Sequence, residues 1–193
     1  MTKRSLYMLI AAAGLLAGCK KQDAFFKSEL IYDKVGAPKY AFTVQVRGEE
    51  MFFSARRDGL DLPGISGNRV PGGKVSSVEA ADLNSDGKPE VYVFFAEASG
   101  VPPGLLAFSC GEKDCSSIGI EGGAGGEPPR DYCGGDSYKT EHDRLVRQYN
   151  GCGMKAGERL YVKYALKTTS FGLMLSKAGE GKTVTTNETS GRR

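Results

Sequence analysis

The sequence contains the segment Tyr40-Ala41-Phe42-Thr43-Val44-Gln45-Val46-Arg47. Tyr, Phe and Val side chains alternate in it with smaller or polar ones, which is the period of a β-strand that buries one face. Gly48-Glu49 follows as a candidate hairpin turn, and residues 50–56 return as a second strand. This segment therefore predicts the start of an antiparallel β domain.

Further strand patterns continue toward the C-terminus. Residues 90–97 contain the apolar run Val91-Tyr92-Val93-Phe94-Phe95, which is typical of a central strand buried on both faces. Residues 57–73 and 121–137 are rich in Gly and Pro and are predicted to be loops. No amphipathic helix pattern appears after residue 19. We predict an all-β fold, a single antiparallel β-sandwich or barrel-like domain with long Gly/Pro-rich loops. The other predicted strands cover residues 75–83, 105–110, 116–120, 145–149, 159–166 and 170–175.

The N-terminal residues have the pattern of a bacterial lipoprotein leader. Lys3 and Arg4 precede an apolar stretch over residues 6–16, which is too short to span a bilayer of about 30 Å. It ends in Leu16-Ala17-Gly18-Cys19, which resembles the lipobox, where the Cys thiol is acylated and the chain is cleaved before it. Several acyl chains on Cys19 give stable anchoring in a membrane. An ordinary cleaved signal that includes a Cys is the alternative.

These patterns divide the chain into four parts. A signal peptide covers residues 1–18, a lipid-anchored tether 19–38, a β domain 39–176 and a disordered tail 177–193. By resemblance to known lipoprotein sorting, the lack of an Asp after Cys19 favours the outer membrane, on the side that faces the periplasm.

The charge of the exported part is nearly balanced. The whole chain has 26 Lys and Arg against 23 Asp and Glu, and two of the basic residues, Lys3 and Arg4, lie in the leader. Removal of the leader leaves 24 basic and 23 acidic side chains. A nearly neutral domain gives no electrostatic reason to bind nucleic acid.

Four cysteines remain after Cys19: Cys110, Cys115, Cys133 and Cys152. An even number in an oxidising compartment indicates disulfide bonds, with three pairings open. The turn-like loop between Cys110 and Cys115 favours that pair, which leaves Cys133 to pair with Cys152. A zinc site is disfavoured because the spacings lack paired C-x₂-C knuckles and the chain has one His, His142.

The sharpest local motif is the acidic segment over residues 82–90. Oxygen-bearing side chains recur at alternate positions with a Gly after the third, as in the first half of an EF-hand loop. The position of the bidentate Glu of an EF-hand is occupied by Val93, so the segment is not an EF-hand. It is a candidate site for Ca²⁺, and a turn in which Asp and Asn cap backbone N–H groups without metal is the alternative. The candidate ligands are the side chains of Asp82, Asn84, Asp86 and Glu90 and the carbonyl of Lys88.

Motifs of catalysis are not recognised in the sequence. It has no nucleophile elbow, P-loop or zinc motif, and His142 lies between Glu141 and Asp143 in a polar stretch typical of a solvated surface. Carboxylates such as Asp131 and Asp136 show no spacing that demands a catalytic pair. We therefore predict a protein that is not an enzyme and that needs no cofactor other than the candidate Ca²⁺.

Four segments of the chain carry a resemblance to a known family: residues 78–93, which include the acidic segment, and residues 97–100, 143–149 and 157–164. Together they resemble the periplasmic inhibitors of I-type lysozyme. Their order and spacing fit that family over about residues 40–168. The resemblance implies a small antiparallel β domain in which a loop with a Ser-Gly motif enters the active-site cleft of the lysozyme.

Residues at the place of that loop are Ser99, Gly100, Val101 and Pro102. The family loop usually continues through Ser or Tyr, whereas this one continues through Val101-Pro102-Pro103-Gly104, which is stiffer and more apolar. The resemblance also implies a basic side chain that pairs with a catalytic carboxylate of the lysozyme, and Arg144 and Arg147 are candidates for it.

The sequence thus predicts a non-enzymatic lipoprotein of the cell envelope that binds and occludes a partner, with a lysozyme as the candidate partner. The alternative is a calcium-stabilised adhesion or assembly module that binds another envelope protein.

Overall fold

The computed structural model describes residues 25–70, 74–97, 103–123 and 131–184. Within these ranges the chain forms strands and no helix, and accordingly no described helix is long and apolar enough to cross a membrane. The strands are β1 (Phe25–Tyr32), β2 (Tyr40–Arg47), β3 (Glu50–Arg57), β4 (Leu60–Arg69), β5 (Val75–Ala81), β6 (Glu90–Phe95), β7 (Gly104–Cys110), β8 (Cys115–Ser117), β9 (Gly119–Ile120), β10 (Ser137–Glu141), β11 (Arg144–Tyr149), β12 (Glu158–Thr169) and β13 (Gly172–Val184).

The strands form three sheets. The first has the order β1-β2-β3-β4, the second β5-β6-β7-β8, and the third β10-β11-β12-β13-β9. Neighbouring strands are antiparallel except β13 and β9, which pair in parallel. We call them the first, middle and third sheets. The all-β prediction is confirmed.

The middle sheet packs against both of the others, so the sandwich has three layers. One core cluster joins the first sheet to one face of the middle sheet, through residues such as Phe53 and Phe108. A second cluster joins the opposite face to the third sheet, through residues such as Phe94 and Leu145. Burial of apolar side chains in two such cores is the dominant favourable term in folding.

Strand β6 lies at the centre of this arrangement. Val91, Val93 and Phe95 belong to the first cluster, whereas Tyr92 and Phe94 belong to the second. Successive side chains of a strand point to opposite faces, and in β6 both faces meet a sheet. The predicted burial of this strand on both faces is confirmed.

The boundaries of the β domain differ from the prediction at both ends. Residues 25–32, assigned to a tether, form β1 and pair with β2 along its whole length. Residues 177–184, assigned to a disordered tail, extend β13, which pairs with β12. Residues 25–32 alternate in burial, and Phe26 and Leu30 pack against the first core cluster. Residues 177–184 are mostly polar and partly exposed, so backbone hydrogen bonds to β12 order them without a strong apolar pattern. The predicted signal peptide, Cys19 and residues 185–193 lie outside the described residues.

The predicted loop over residues 57–73 contains strand β4. This strand pairs only with β3, and Pro63 is tolerated because an edge strand has unpaired backbone groups. Gly64 lies against β3, where a Cβ atom would be 2.6 Å from the carbonyl oxygen of Phe53. The Pro-Gly pair, which indicates a turn in the sequence, instead allows a close approach of two strands.

Candidate functional site

The acidic segment forms the connection between β5 and β6. Ser85 and Gly87 adopt positive φ angles of 58° and 82°, which turn the chain tightly between the two strands. Asp82 directly follows β5, and Glu90 is the first residue of β6. The loop is therefore anchored on two strands of the middle sheet.

Side-chain oxygens of the loop accept hydrogen bonds from its own backbone. Asp82 Oδ1 accepts from the N–H of Asp86 at 3.0 Å, and Asp82 Oδ2 from the N–H of Gly87 at 3.1 Å. Asn84 Oδ1 also accepts from the N–H of Asp86, and Asp86 Oδ1 from the N–H of Lys88. These bonds fix the directions of the Asp and Asn side chains before any ligand binds.

Glu90 is a fully buried carboxyl group, with 0% of its surface exposed. Its Oε2 atom accepts a hydrogen bond from the N–H of Leu83 at 2.8 Å, and the hydroxyl of Tyr92 lies 3.5 Å away. The Oε1 atom is buried and has no hydrogen-bond partner. Burial raises the pKa of Glu90 to about 8; the hydrogen bond from Leu83 opposes this shift, and the charges of Asp82 and Asp86 add to it.

Three of the predicted metal ligands come together. Asp82, Asp86 and Glu90 each place one carboxylate oxygen within 4.8 Å of those of the other two. The Asn84 amide lies beside them, because its Nδ2 atom donates to Asp86 Oδ2 at 3.2 Å. Hard oxygen donors at this spacing suit Ca²⁺. Lys88, whose carbonyl is the fifth predicted ligand, donates its backbone N–H to Asp86 Oδ1.

The predicted partner-binding loop, Ser99, Gly100, Val101 and Pro102, lies outside the described residues, but its two ends are described. Strand β6 ends at Phe95, β7 begins at Gly104, and these two residues are paired. The loop therefore joins two adjacent strands of the middle sheet. It leaves the sheet at the end of β6 opposite to the acidic loop.

A buried ion pair that sequence reasoning missed lies between β11 and the segment before β10. Arg147 Nε donates to Asp136 Oδ1, and the side chains of Arg147 and Asp136 are 2% and 0% exposed. The Tyr132 hydroxyl donates to the other oxygen of Asp136. The guanidinium carbon of Arg147 also lies 5.6–5.8 Å from the ring centres of Tyr132, Tyr138 and Tyr149. The charge is thus enclosed by a carboxylate and three aromatic rings.

Electrostatics keep the Arg147 guanidinium charged. Burial disfavours the charge of Arg147, but the hydrogen bond and charge of Asp136 raise the pKa of Arg147 above its usual value. Burial and the hydrogen bond to Asp136 likewise raise the pKa of Tyr132, so its hydroxyl remains a donor. The sequence contains a signal for this pair. Arg147 lies two residues from both Leu145 and Tyr149, so it shares their core-facing side of β11, where a charge needs a partner.

This arrangement corrects the role considered for Arg147. Its side chain is paired inside the protein and is not presented to a carboxylate of a partner. Arg144 is half-buried and contacts the carboxylate of the adjacent Asp143 at 2.5 Å. His142 is exposed in the turn between β10 and β11, with a positive φ of 51°.

The ion pair lies close to the start of the β6–β7 loop. The carboxylate of Glu97 approaches the segment 131–136, since a Cβ atom built on Gly134 would be 3.1 Å from Glu97 Oε2. That segment contains Tyr132 and Asp136 and is tied to residues 150–152 by backbone hydrogen bonds. The start of the loop, at Glu97, thus lies against a segment that backbone hydrogen bonds hold to residues 150–152.

Both predicted disulfide bonds are present. Cys110 and Cys115 join β7 to β8, and Cys133 and Cys152 join the segment before β10 to the one after β11. The second bond closes a loop that contains Asp136 and Arg147. It therefore holds the two ends of the segment that encloses the ion pair.

Replacing Cys133 and Cys152 together with Ala is expected to lower the free energy of unfolding by about 3 kcal/mol, the chain-entropy value for a loop of this length. The measurement is urea unfolding of both proteins under oxidising conditions. In a reducing buffer the difference between them should disappear, because the unchanged protein then lacks the bond as well. Equal stabilities under oxidising conditions would contradict this prediction.

A comparison of the chain with protein-family models, curated proteins and solved structures found no significant match.

Proposed function

We propose that this protein is a non-enzymatic lipoprotein of the cell envelope that binds a partner through the β6–β7 loop and occludes its cleft, with an I-type lysozyme as the first candidate partner. The observation that carries the proposal is the position of this loop. It connects two central strands that are buried on both faces, next to the buried ion pair of Arg147 and Asp136.

A rigid support favours occlusion as the mode of action. Ordering a flexible loop on binding costs free energy, and a loop whose ends are held by a packed sheet loses less. Phe95 and Gly104 are paired at the base of the loop, and the 133–152 disulfide holds the neighbouring segment. The short apolar sequence Val101-Pro102-Pro103 adds stiffness of its own.

The chemistry of the proposed target fits a loop whose tip has no acidic side chain, since Glu97, at the start of the loop, lies against Gly134. Lysozyme clefts contain a pair of carboxyl groups that flank the scissile bond. Residues 98–104 of this chain carry no charged side chain, and Ser99 offers a hydroxyl donor at the place of the family's Ser-Gly motif. Such a loop excludes the substrate without placing a like charge against the catalytic carboxylates.

Acylation of Cys19 is the proposed attachment to the outer membrane. Because the first sheet begins at Phe25, six residues from Cys19 to Ala24 separate the proposed lipid from the folded domain. Six residues span at most about 20 Å when fully extended. The domain would therefore act close to the membrane surface, where an incoming lysozyme meets the envelope.

The first test is inhibition of a panel of I-, C- and G-type lysozymes by the processed chain, extracted from envelopes in mild detergent. We expect an I-type enzyme to be inhibited at micromolar concentration. Val101→Asp should weaken inhibition about tenfold or more, which corresponds to 1.4 kcal/mol, because it places a negative charge against the catalytic carboxylates.

Val35→Asp is the matched control, since Val35 is 99% exposed in the β1–β2 connection, toward the other end of the molecule. It makes the same chemical change and should leave inhibition unaltered. If no lysozyme of the panel is inhibited, or if both variants weaken inhibition equally, the proposal is wrong.

A further inference from the structure

The acidic loop contains an unsatisfied buried oxygen atom. Glu90 is fully buried, and its Oε1 atom has no hydrogen-bond partner. An unpaired buried polar atom costs free energy, and almost all such atoms in folded proteins have a partner in the protein or in an ordered ligand. The Glu90 carboxylate contributes one of the three oxygen atoms that lie within 4.8 Å of one another. The Glu90 carboxyl group, one oxygen of which lacks a partner, thus lies beside two further carboxylates.

We propose that Asp82, Asp86 and Glu90 bind one Ca²⁺ ion, with the Asn84 side chain beside them, and that this ion fastens the β5–β6 connection to the middle sheet. The ion supplies the partner that Glu90 Oε1 lacks. It also supplies positive charge to three neighbouring carboxyl groups, which have one described lysine contact, from Lys34 Nζ to Asp82 Oδ2 at 3.5 Å. That lysine is mostly exposed and its charge is screened by solvent.

The donor set selects calcium over other divalent ions. All of the side chains offer oxygen, and the cysteines and the histidine of the described chain lie elsewhere, the four cysteines in disulfide bonds. Zn²⁺ prefers sulfur and nitrogen ligands, and Mg²⁺ demands a tight octahedral arrangement that it usually completes with water. A loop held on two strands, with carboxylates at positions 82, 86 and 90 and an amide oxygen at 84, suits the larger and more tolerant Ca²⁺.

The location separates this site from the proposed binding loop. Glu90 begins β6, and the loop with Val101 follows the end of that strand, so the two lie at opposite ends of one strand. The ion would therefore act on the stability of the middle sheet. The inference does not depend on lysozyme inhibition, and either proposal can fail without the other.

The test uses the processed chain in mild detergent, stripped of metal with EGTA and titrated with CaCl₂ by calorimetry and thermal unfolding. We expect one ion to bind per chain and the melting temperature to rise by about 5 °C at a calcium concentration near one hundred times the dissociation constant. The same concentration of MgCl₂ should give a clearly smaller shift. No binding heat and no shift at millimolar Ca²⁺, or an equal shift with Mg²⁺, would overturn the assignment.

Two variants locate the ion. Asp86→Asn keeps an oxygen that can accept from the N–H of Lys88, so the loop should fold, but binding should weaken at least about tenfold because a ligand charge is lost. Glu90→Gln should abolish the calcium shift and, in EGTA, should melt no lower than the unchanged protein, because the amide has the shape of the carboxyl group and its oxygen can still accept from the N–H of Leu83. The control Asp61→Asn changes an exposed carboxylate of the first sheet and should retain the full shift. Full binding in both site variants would contradict the site.

Discussion

Replacing Asp136 with Ala is expected to lower the free energy of unfolding by about 3–5 kcal/mol, the cost of leaving one partner of a buried ion pair without the other. Arg147 then remains charged in the core between the middle and third sheets, where its side chain is 2% exposed. The Tyr132 hydroxyl loses its acceptor in the same change. Urea unfolding measures the effect, as a lower midpoint with an unchanged slope.

Two comparisons make this prediction specific. Asp61→Ala removes a carboxylate from the exposed pair with Arg56 and should change the midpoint little, because exposed pairs are screened by solvent. The double variant Asp136→Leu/Arg147→Met removes both charges and should regain most of the stability lost in Asp136→Ala. An Asp136→Ala protein as stable as the unchanged one would show that the pair is not buried as described.

The strands of the cores could be predicted from the sequence because their burial leaves a local pattern. Residues 40–47 alternate strictly, and residues 91–95 are continuously apolar, so both strands are recognisable without knowledge of their neighbours. Strands β1 and β4 and the end of β13 leave weaker signals, since they lie at edges or in a polar hairpin. Each is ordered by backbone pairing with the strand next to it in the chain, and in β4 the apolar pattern is also interrupted by Pro63 and Gly64.

The candidate sites likewise divide into those that a local sequence pattern reveals and those that depend on packing between distant residues. The alternate spacing of Asp82, Asn84 and Asp86 and the short loop between Cys110 and Cys115 are local, and the sequence predicts both the cluster and the disulfide bond. The pairing of Arg147 with Asp136 depends on where a segment outside the sheet lies against β11. The burial of Glu90 likewise depends on packing across the layers. Such contacts depend on the tertiary arrangement and cannot be predicted from a short stretch of sequence.

The number of layers is the largest feature that the sequence does not reveal. Burial on both faces of β6 indicates that two surfaces cover it, but the pattern does not identify which strands supply them. The structure assigns one face to the first sheet, where Phe53 of β3 stacks on Phe108 of β7 with ring centres 4.7 Å apart. This contact joins two layers. Phe53 also stacks on Phe42 of the neighbouring strand β2.

Phe53→Ala is therefore expected to lower the free energy of unfolding by about 3–5 kcal/mol, the usual cost of removing a buried Phe side chain together with the cavity that it leaves. Phe53 is 2% exposed, and its partner Phe108 would lose the ring that covers it. Phe52→Ala is the matched control, because Phe52 is the preceding residue on the same strand, points to the outer face and is 36% exposed. Because the two side chains are identical and adjacent, a difference in their unfolding midpoints reports only the face on which each lies. Equal losses from Phe52→Ala and Phe53→Ala would mean that the first sheet does not cover the middle one, and with it the three-layer arrangement would fail.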